Sequence, residues 1–270
     1  MTLRPTALVL ALGSLIALSF LSGPDPASAA EERVDLELVL AVDVSGSMDA
    51  DEQILQRSGY VEAIRSSDVM DAIRSGLTGA IALTYVEWAG PSAQRVVVPW
   101  MRIDGPAAAE QFTAKLLAAP LGTMRGTSIS GGLLLSAMQF QGNGFEGLRR
   151  VIDVSGDGPN NMGPPVIPTR DQVLALGIII NGLPITLKPG GGYGSIHGLD
   201  TYYANCVIGG PGSFIVPVTD RSQLVDAIRR KLVLEIADLG GGEGLFATPV
   251  ADEDFDCMVG EKLRQRWMDP

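Results

Sequence analysis

The stretch LELVLAVDVSGSMDADE, residues 36–52, changes character at Asp43. Before it, apolar and β-branched residues run almost without a break, which predicts a central strand buried on both faces. After it, Asp43, Ser45 and Ser47 stand at alternate positions, and a helix is predicted from about Asp51 with Asp49 or Asp51 as its N-cap. Two readings of the turn are open. It is an ordinary polar turn, for which Asp, Ser and Gly are the usual residues, or its three oxygens are aimed at one cation.

Outward from this stretch, Leu55, Ile64, Val69, Ile73 and Leu77 recur near one helical face. IALTYVEWA and QRVVVPW read as two strands joined through GPSAQ, a connection short enough for an antiparallel pair at a sheet edge. PAAAEQFTAKLLA reads as a helix with Pro106 in its first turn. The Gly-bearing loop LGTMRGTSISGG then leads into a helix marked by Ile129, Leu133, Ala137 and Phe140. LRRVIDVS is a strand, GDGPNNMGPP a loop, TRDQVLAL a helix and GIIINGLPI a strand. KPGGGYGSIHG is a surface insertion, followed by the short segment YYANCV and by FIVPV as a last strand. TDRSQLVDAIRRKLVLEIA closes as an amphipathic helix capped by Thr219 or Asp220. Strands alternating with helices predict an α/β, doubly wound, Rossmann-like sheet, mostly parallel with one antiparallel edge strand. From about residue 238 the periodicity is lost, and residues 238–270 read as a Gly-rich, acidic tail with Cys257 and Trp267 as its packing points.

Residues 1–30 read differently. One Arg beside the terminal amine, the apolar run ALVLALGSLIALSFL and Ala27-Ser28-Ala29 have the layout of a cleaved signal peptide. The run is short for a membrane span and is broken by Gly23, Pro24 and Pro26. The expected product is exported, periplasmic or secreted, with one domain over residues 31–237 and no membrane insertion after cleavage. Cleavage removes Arg4 and Asp25 together, so the net charge stays at −11. That charge argues against nucleic acid and anionic membrane surfaces as partners. Cys206 and Cys257 are the only cysteines. In an oxidising compartment they can pair, or they can stand as two separate small hydrophobes.

In an open α/β sheet, ligands bind outside the carboxyl ends of the strands, near the point where strand order reverses. Three loops place oxygen donors there: Asp43, Ser45 and Ser47 after the first strand, Thr127 before the helix at residue 128, and Asp157 after VIDVS. Two carboxylates with hydroxyls suit a hard divalent ion, Mg²⁺ first, with Mn²⁺ or Ca²⁺ as substitutes. Each loop alone has a plain structural explanation: a turn, a helix cap for Thr127 and a second turn at Asp157-Gly158. Three loops supplying matching donors at one sheet edge argue for a site.

Asp43-Val44-Ser45-Gly46-Ser47 resembles the D-x-S-x-S signature of the von Willebrand factor type A domain, with Thr127 in RGTS and Asp157 in SGDG at the positions that complete its metal-ion-dependent adhesion site. The resemblance covers about residues 34–237. Through INGLPI and YYANCVIGGPGSF it is closest to a bacterial family of exported proteins known only as a domain of unknown function. The resemblance implies that Ser45, Ser47 and Thr127 hold the ion directly, while Asp43 and Asp157 act largely through waters and outer hydrogen bonds. It further implies an open position that accepts an Asp or Glu from a partner protein, so the domain binds rather than reacts.

Enzymatic readings lack parts. GGGYGS follows Pro189 rather than a strand, so it fails the context of a dinucleotide fingerprint. His197, the single His, has no Ser or Cys partner in view. Neither Ser45 nor Ser47 lies in a G-x-S-x-G elbow. A metal-assisted hydrolase on the same ion is the runner-up, and a structural envelope protein stabilised by the ion is the third reading.

Overall fold

The computed structural model describes residues 30–187, 196–237 and 255–268. The chain divides into two units, Met1–Ala30 and Glu31–Pro270. Residues 1–29, over which a signal peptide is expected, and the Gly-rich stretch at residues 188–195 lie outside the described residues, as do residues 238–254. The sheet and its helices all belong to the second unit.

Five strands form one sheet in the order β3-β2-β1-β4-β5. They are β1 (Glu32–Asp43), β2 (Ile81–Trp88), β3 (Gln94–Ile103), β4 (Phe145–Gly156) and β5 (Ile179–Pro184). β1 runs parallel to both β2 and β4, and β4 parallel to β5. Only β3 is antiparallel, hairpinned onto β2 at the edge. The expected doubly wound, mostly parallel sheet is therefore present.

The nearly continuous apolar run of β1 has a direct cause. Leu36, Leu38, Leu40 and Val42 pack on one face among Tyr60, Ile64, Ile73, Phe112, Leu224 and Ile228. Val39 and Ala41 pack on the other among Ile129, Leu133, Val166 and Tyr202. Side chains alternate between faces along a strand, so a strand covered twice is apolar at nearly every position, and the buried exception Glu37 is compensated by Asn143 Nδ2 and the Gly147 N–H, which both donate to it. Each such side chain contributes on the order of 1.5–3 kcal/mol by leaving water. One face is covered by α1 (Ala50–Arg65), α2 (Ser67–Arg74), α3 (Pro106–Ala118) and α7 (Leu224–Ile236), the other by α4 (Ile129–Gln139) and α5 (Val166–Ala175).

Several elements differ from the sequence reading. The first helical stretch is two helices, broken at Ser66, whose extended backbone and side-chain bond to Val69 N–H restart the helix. Leu77 lies past the end of α2 and is exposed, so it belongs to no core face. YYANCV is helical, made of α6 (Leu199–Tyr202) and a π-turn at Tyr203–Val207. FIVPV is not a regular strand. It lies beside β5 through bridges Gly182↔Ile215 and Ile185↔Val218, and Pro217 between them has no N–H to extend a ladder. Asp220 caps a 3-10 turn (Arg221–Gln223) ahead of α7 rather than α7 itself. The tail carries a helix, α8 (Val259–Met268), and Cys206–Cys257 is a disulfide that ties it to the π-turn. Among the described residues no helix is long and apolar enough to cross a membrane.

Candidate metal site

β1 and β4 are neighbours in the sheet, yet the chain leaves them toward different sides, so a crevice opens at their carboxyl ends. Val42 pairs with Ser155 in the register, which sets Asp43 and the Gly156-Asp157 turn side by side. Asp43 is wholly buried at the end of β1. Its Oδ1 accepts the Ser45 backbone N–H at 2.7 Å, and the turn closes with Met48 N–H on the Ser45 carbonyl at 3.0 Å. The Ser45 and Ser47 hydroxyl oxygens are thereby held 3.0 Å apart. Ser47 Oγ donates to Asp157 Oδ1 at 2.6 Å, joining the first and third loops.

The middle loop is secured by its backbone. Met124 N–H donates to the Val44 carbonyl at 3.1 Å, and Ser45 and Met124 form a parallel bridge. The Thr127 N–H donates to Asn161 Oδ1 at 3.1 Å, and the Thr127 carbonyl accepts from Asn161 and Met162 at 2.9 and 3.1 Å. Thr127 is thus fastened to the loop that carries Asp157, and Met124, three residues earlier, to the loop that carries Ser45. The cap of α4 is Ser128, which accepts from Gly131 N–H. Thr127 is therefore not the cap, and the plain explanation for its hydroxyl is removed.

Electrostatics follow from this packing. Burial, and then the neighbouring charge of Asp157, push the Asp43 carboxyl well above the usual carboxylate range. Its Oδ2 is buried without a hydrogen-bond partner. A hard cation answers both features, by supplying positive charge and by ordering a ligand water toward that oxygen. The hydroxyl spacing fits as well. Adjacent ligands of an octahedral Mg²⁺ at 2.0–2.1 Å lie about 2.9 Å apart, close to the 3.0 Å between Ser45 and Ser47. Among the described residues no group of three or more His, Cys, Asp or Glu is assembled, so hydroxyls have to complete any ligand set here.

Residues not foreseen from the sequence surround these loops. Asn160 is fully buried and bridges them: its Oδ1 accepts from Ser130 N–H and Oγ at 3.1 Å each, and its Nδ2 donates to Pro164 O and to Glu261 Oε1 of α8 at 3.2 and 2.7 Å. Arg264 of α8 reaches Asn161 O at 3.3 Å. α8 approaches at Gly260, where a Cβ would fall 2.1 Å from Asn160 O, so only a glycine fits. Tyr203 stands beneath the site from the π-turn. Asn160 and Asn161 lie in GDGPNNMGPP, which reads from the sequence only as a loop, and nothing local in YYANCV points to the crevice.

Comparison with solved structures places this architecture. Proximal thread matrix protein 1 from the mussel byssus aligns at TM-score 0.56 and 14% identity, over 78% of this chain and 49% of that one. A second structure of that protein, described as having a zinc-occupied MIDAS motif, aligns at TM-score 0.56 and 16% identity over 77% and 49%. A von Willebrand factor type A protein from Catenulispora acidiphila aligns at 0.53 and 13% over 75% and 43%. The pilus adhesin SpaC from Lactobacillus rhamnosus GG, in its open conformation, aligns at 0.55 and 13% over 78% and 31%. This chain thus spans half or less of the length of these proteins, and the likeness is one of fold. No curated relative matches the sequence. The family profile described as "Protein of unknown function (DUF1194)" matches residues 33–240, the span that carries the sheet and all three loops. The chain is a member of that family, built on a von Willebrand factor type A-like fold.

Proposed function

We propose that the protein is an exported, divalent-cation-dependent protein-binding module. Ser45, Ser47 and Thr127 would hold the ion, Mg²⁺ in the first instance, and Asp43 and Asp157 would act through waters and outer hydrogen bonds. An acidic side chain of a partner protein would complete the coordination. The observation that supports this reading is the bond from Ser47 to Asp157, with the two serine hydroxyls 3.0 Å apart, while backbone bonds from Met124 to Val44 and from Asn161 to Thr127 tie the middle loop to the other two. The zinc-occupied MIDAS motif named for the mussel protein supports a divalent ion on this fold, and the adhesin among the similar structures supports binding over turnover.

The residues play distinct parts. Hydroxyl ligands are neutral, so the ion keeps most of its charge for an incoming carboxylate. Asp43, held by Ser45 N–H at the end of a rigid strand, supplies negative charge from behind. Export rests on the layout of residues 1–30.

The test is isothermal titration with Mg²⁺ and Mn²⁺, followed by capture of partners from the native envelope with and without chelator. Chelator-sensitive capture lost in Ser47→Ala is expected. Capture indifferent to both would overturn the reading, and phosphoester turnover abolished by Asp43→Ala would replace it with a hydrolase.

A further inference from the structure

We propose that Tyr203 is a positioning residue of the metal site: its buried phenol holds the second carboxylate oxygen of Asp43 through one bridging water. The inference rests on the reading of the three loops as a cation site.

Two observations carry it. Asp43 Oδ1 is taken by Ser45 N–H, whereas Oδ2 is buried with no hydrogen-bond partner. The Tyr203 hydroxyl, on a side chain with no exposed surface, is likewise buried with no partner. Both atoms face one point. A Cβ at Gly156 would lie 2.7 Å from Tyr203 Oη and 3.0 Å from Asp43 Oδ2. The two oxygens are therefore less than about 6 Å apart, a span that one water lying beside Gly156 can bridge. One of the two groups is a donor and the other an acceptor, and buried orphans of complementary kind are satisfied at least expense by each other.

The neighbouring phenol is not available for this task, because Tyr202 Oη accepts the Asn160 N–H at 3.1 Å. Tyr203 is set in place by the π-turn, closed by Ile208 N–H on the Tyr203 carbonyl at 3.0 Å. Three residues further on, Cys206 is joined to Cys257. The phenol is thus mounted on a covalently braced turn beneath the crevice. Groups in this position orient a metal's inner partners, and their loss typically lowers metal affinity 10–100-fold.

The test uses the full mature chain, with Mn²⁺ and Mg²⁺ as probes. Tyr203→Phe removes only the hydroxyl and is expected to weaken Mn²⁺ binding about tenfold. The same substitution in an Asp43→Asn background is expected to change Mn²⁺ affinity no further, because the phenol acts through that carboxylate. Gly156→Ala, which puts a methyl between the two groups, should weaken binding in the same way. Wild-type affinity in Tyr203→Phe, or an equal loss in both backgrounds, would overturn the proposal. A metal-free thermal double-mutant cycle reads the contact separately: coupling between Tyr203→Phe and Asp43→Asn is expected, and strict additivity would overturn it. If the wild-type chain takes up neither ion, the cation reading falls and the metal role of Tyr203 with it, while the cycle still decides whether the phenol and the carboxylate interact.

Discussion

The backbone N–H of Thr127 donates to the side-chain oxygen of Asn161 across 3.1 Å, and the Thr127 carbonyl takes the Asn161 N–H in return at 2.9 Å. Two loops 34 residues apart in sequence are locked by one reciprocal pair. The position of Thr127, the third donor proposed for the ion, therefore depends on a residue outside the proposed ligand set.

Asn161→Ala is expected to lower Mg²⁺ and Mn²⁺ affinity while reducing stability by only about 1 kcal/mol, the usual size of one hydrogen bond. Asn161→Asp keeps the acceptor and should retain binding. Titration calorimetry beside urea denaturation checks both, and equal metal affinity in Asn161→Ala would refute the dependence.

A buried charge cluster predicts the pH behaviour of the metal-free protein. Lys231 of α7 pairs with Asp153 of β4 at 2.6 Å and with Glu235 one turn on, and it lies over the Phe214 ring. Burial, and then the Asp153 charge, push the Glu235 carboxyl up to about 7, and Asp153 is raised by burial as well. Between the unfolded value of 4.5 and about 7, the native state holds a proton that the unfolded chain has released. The contribution of Glu235 to stability is therefore fully present below 4.5 and is lost as pH rises through about 7. Denaturation with chelator present should lose on the order of 1–3 kcal/mol between pH 5 and 8. Glu235→Gln should flatten that slope.

The disulfide Cys206–Cys257 closes a loop of 51 residues, for which chain entropy predicts about 4 kcal/mol and practice about 2–4 kcal/mol. The double Cys→Ser variant should lose stability in that range. It should also weaken metal binding, because Glu261 and Arg264 then no longer brace Asn160 and Asn161. A melting temperature indifferent to reductant would contradict this.

Arg57 of α1 reaches Glu87 of β2, which also takes Arg95 at 2.6 Å. The two guanidinium groups further donate to the carbonyls of Ala119 and Pro120, each at 2.6 Å, ahead of the middle loop. Arg57→Met leaves Glu87 buried with half its compensation and is expected to be destabilising by about 3–5 kcal/mol. Arg57→Met with Glu87→Gln should be milder. Chemical denaturation of the three variants measures it.

Much of the architecture is readable along the chain. PAAAEQFTAKLLA is α3 to the residue, and Ile129, Leu133, Ala137 and Phe140 are all buried on α4 or at its end. These elements follow local rules, a fixed φ at Pro106 and a 3.6-residue apolar spacing. Leu77 and FIVPV depart from their sequence reading because an apolar residue past a helix end looks like one inside it, and a strand interrupted by Pro217 looks continuous in composition. In the site, Asp43, Ser45 and Ser47 share one turn and can be read together, whereas Asn160, Asn161 and Tyr203 carry no local mark.

Alternation of apolar and polar residues, caps and prolines act over a few positions, and they are enough to specify the order of strands and helices, the antiparallel edge and the polar ends of the strands. Which of those ends meet depends on sheet order, and so on packing summed over the whole chain. The bond from Ser47 to Asp157, the grip of Asn161 on Thr127, the pairing of Cys206 with Cys257 and the burial of Tyr203 beside Asp43 each join residues dozens to more than a hundred positions apart. No local preference encodes such distances; they arise only when both faces of one sheet are covered and its crevice closes.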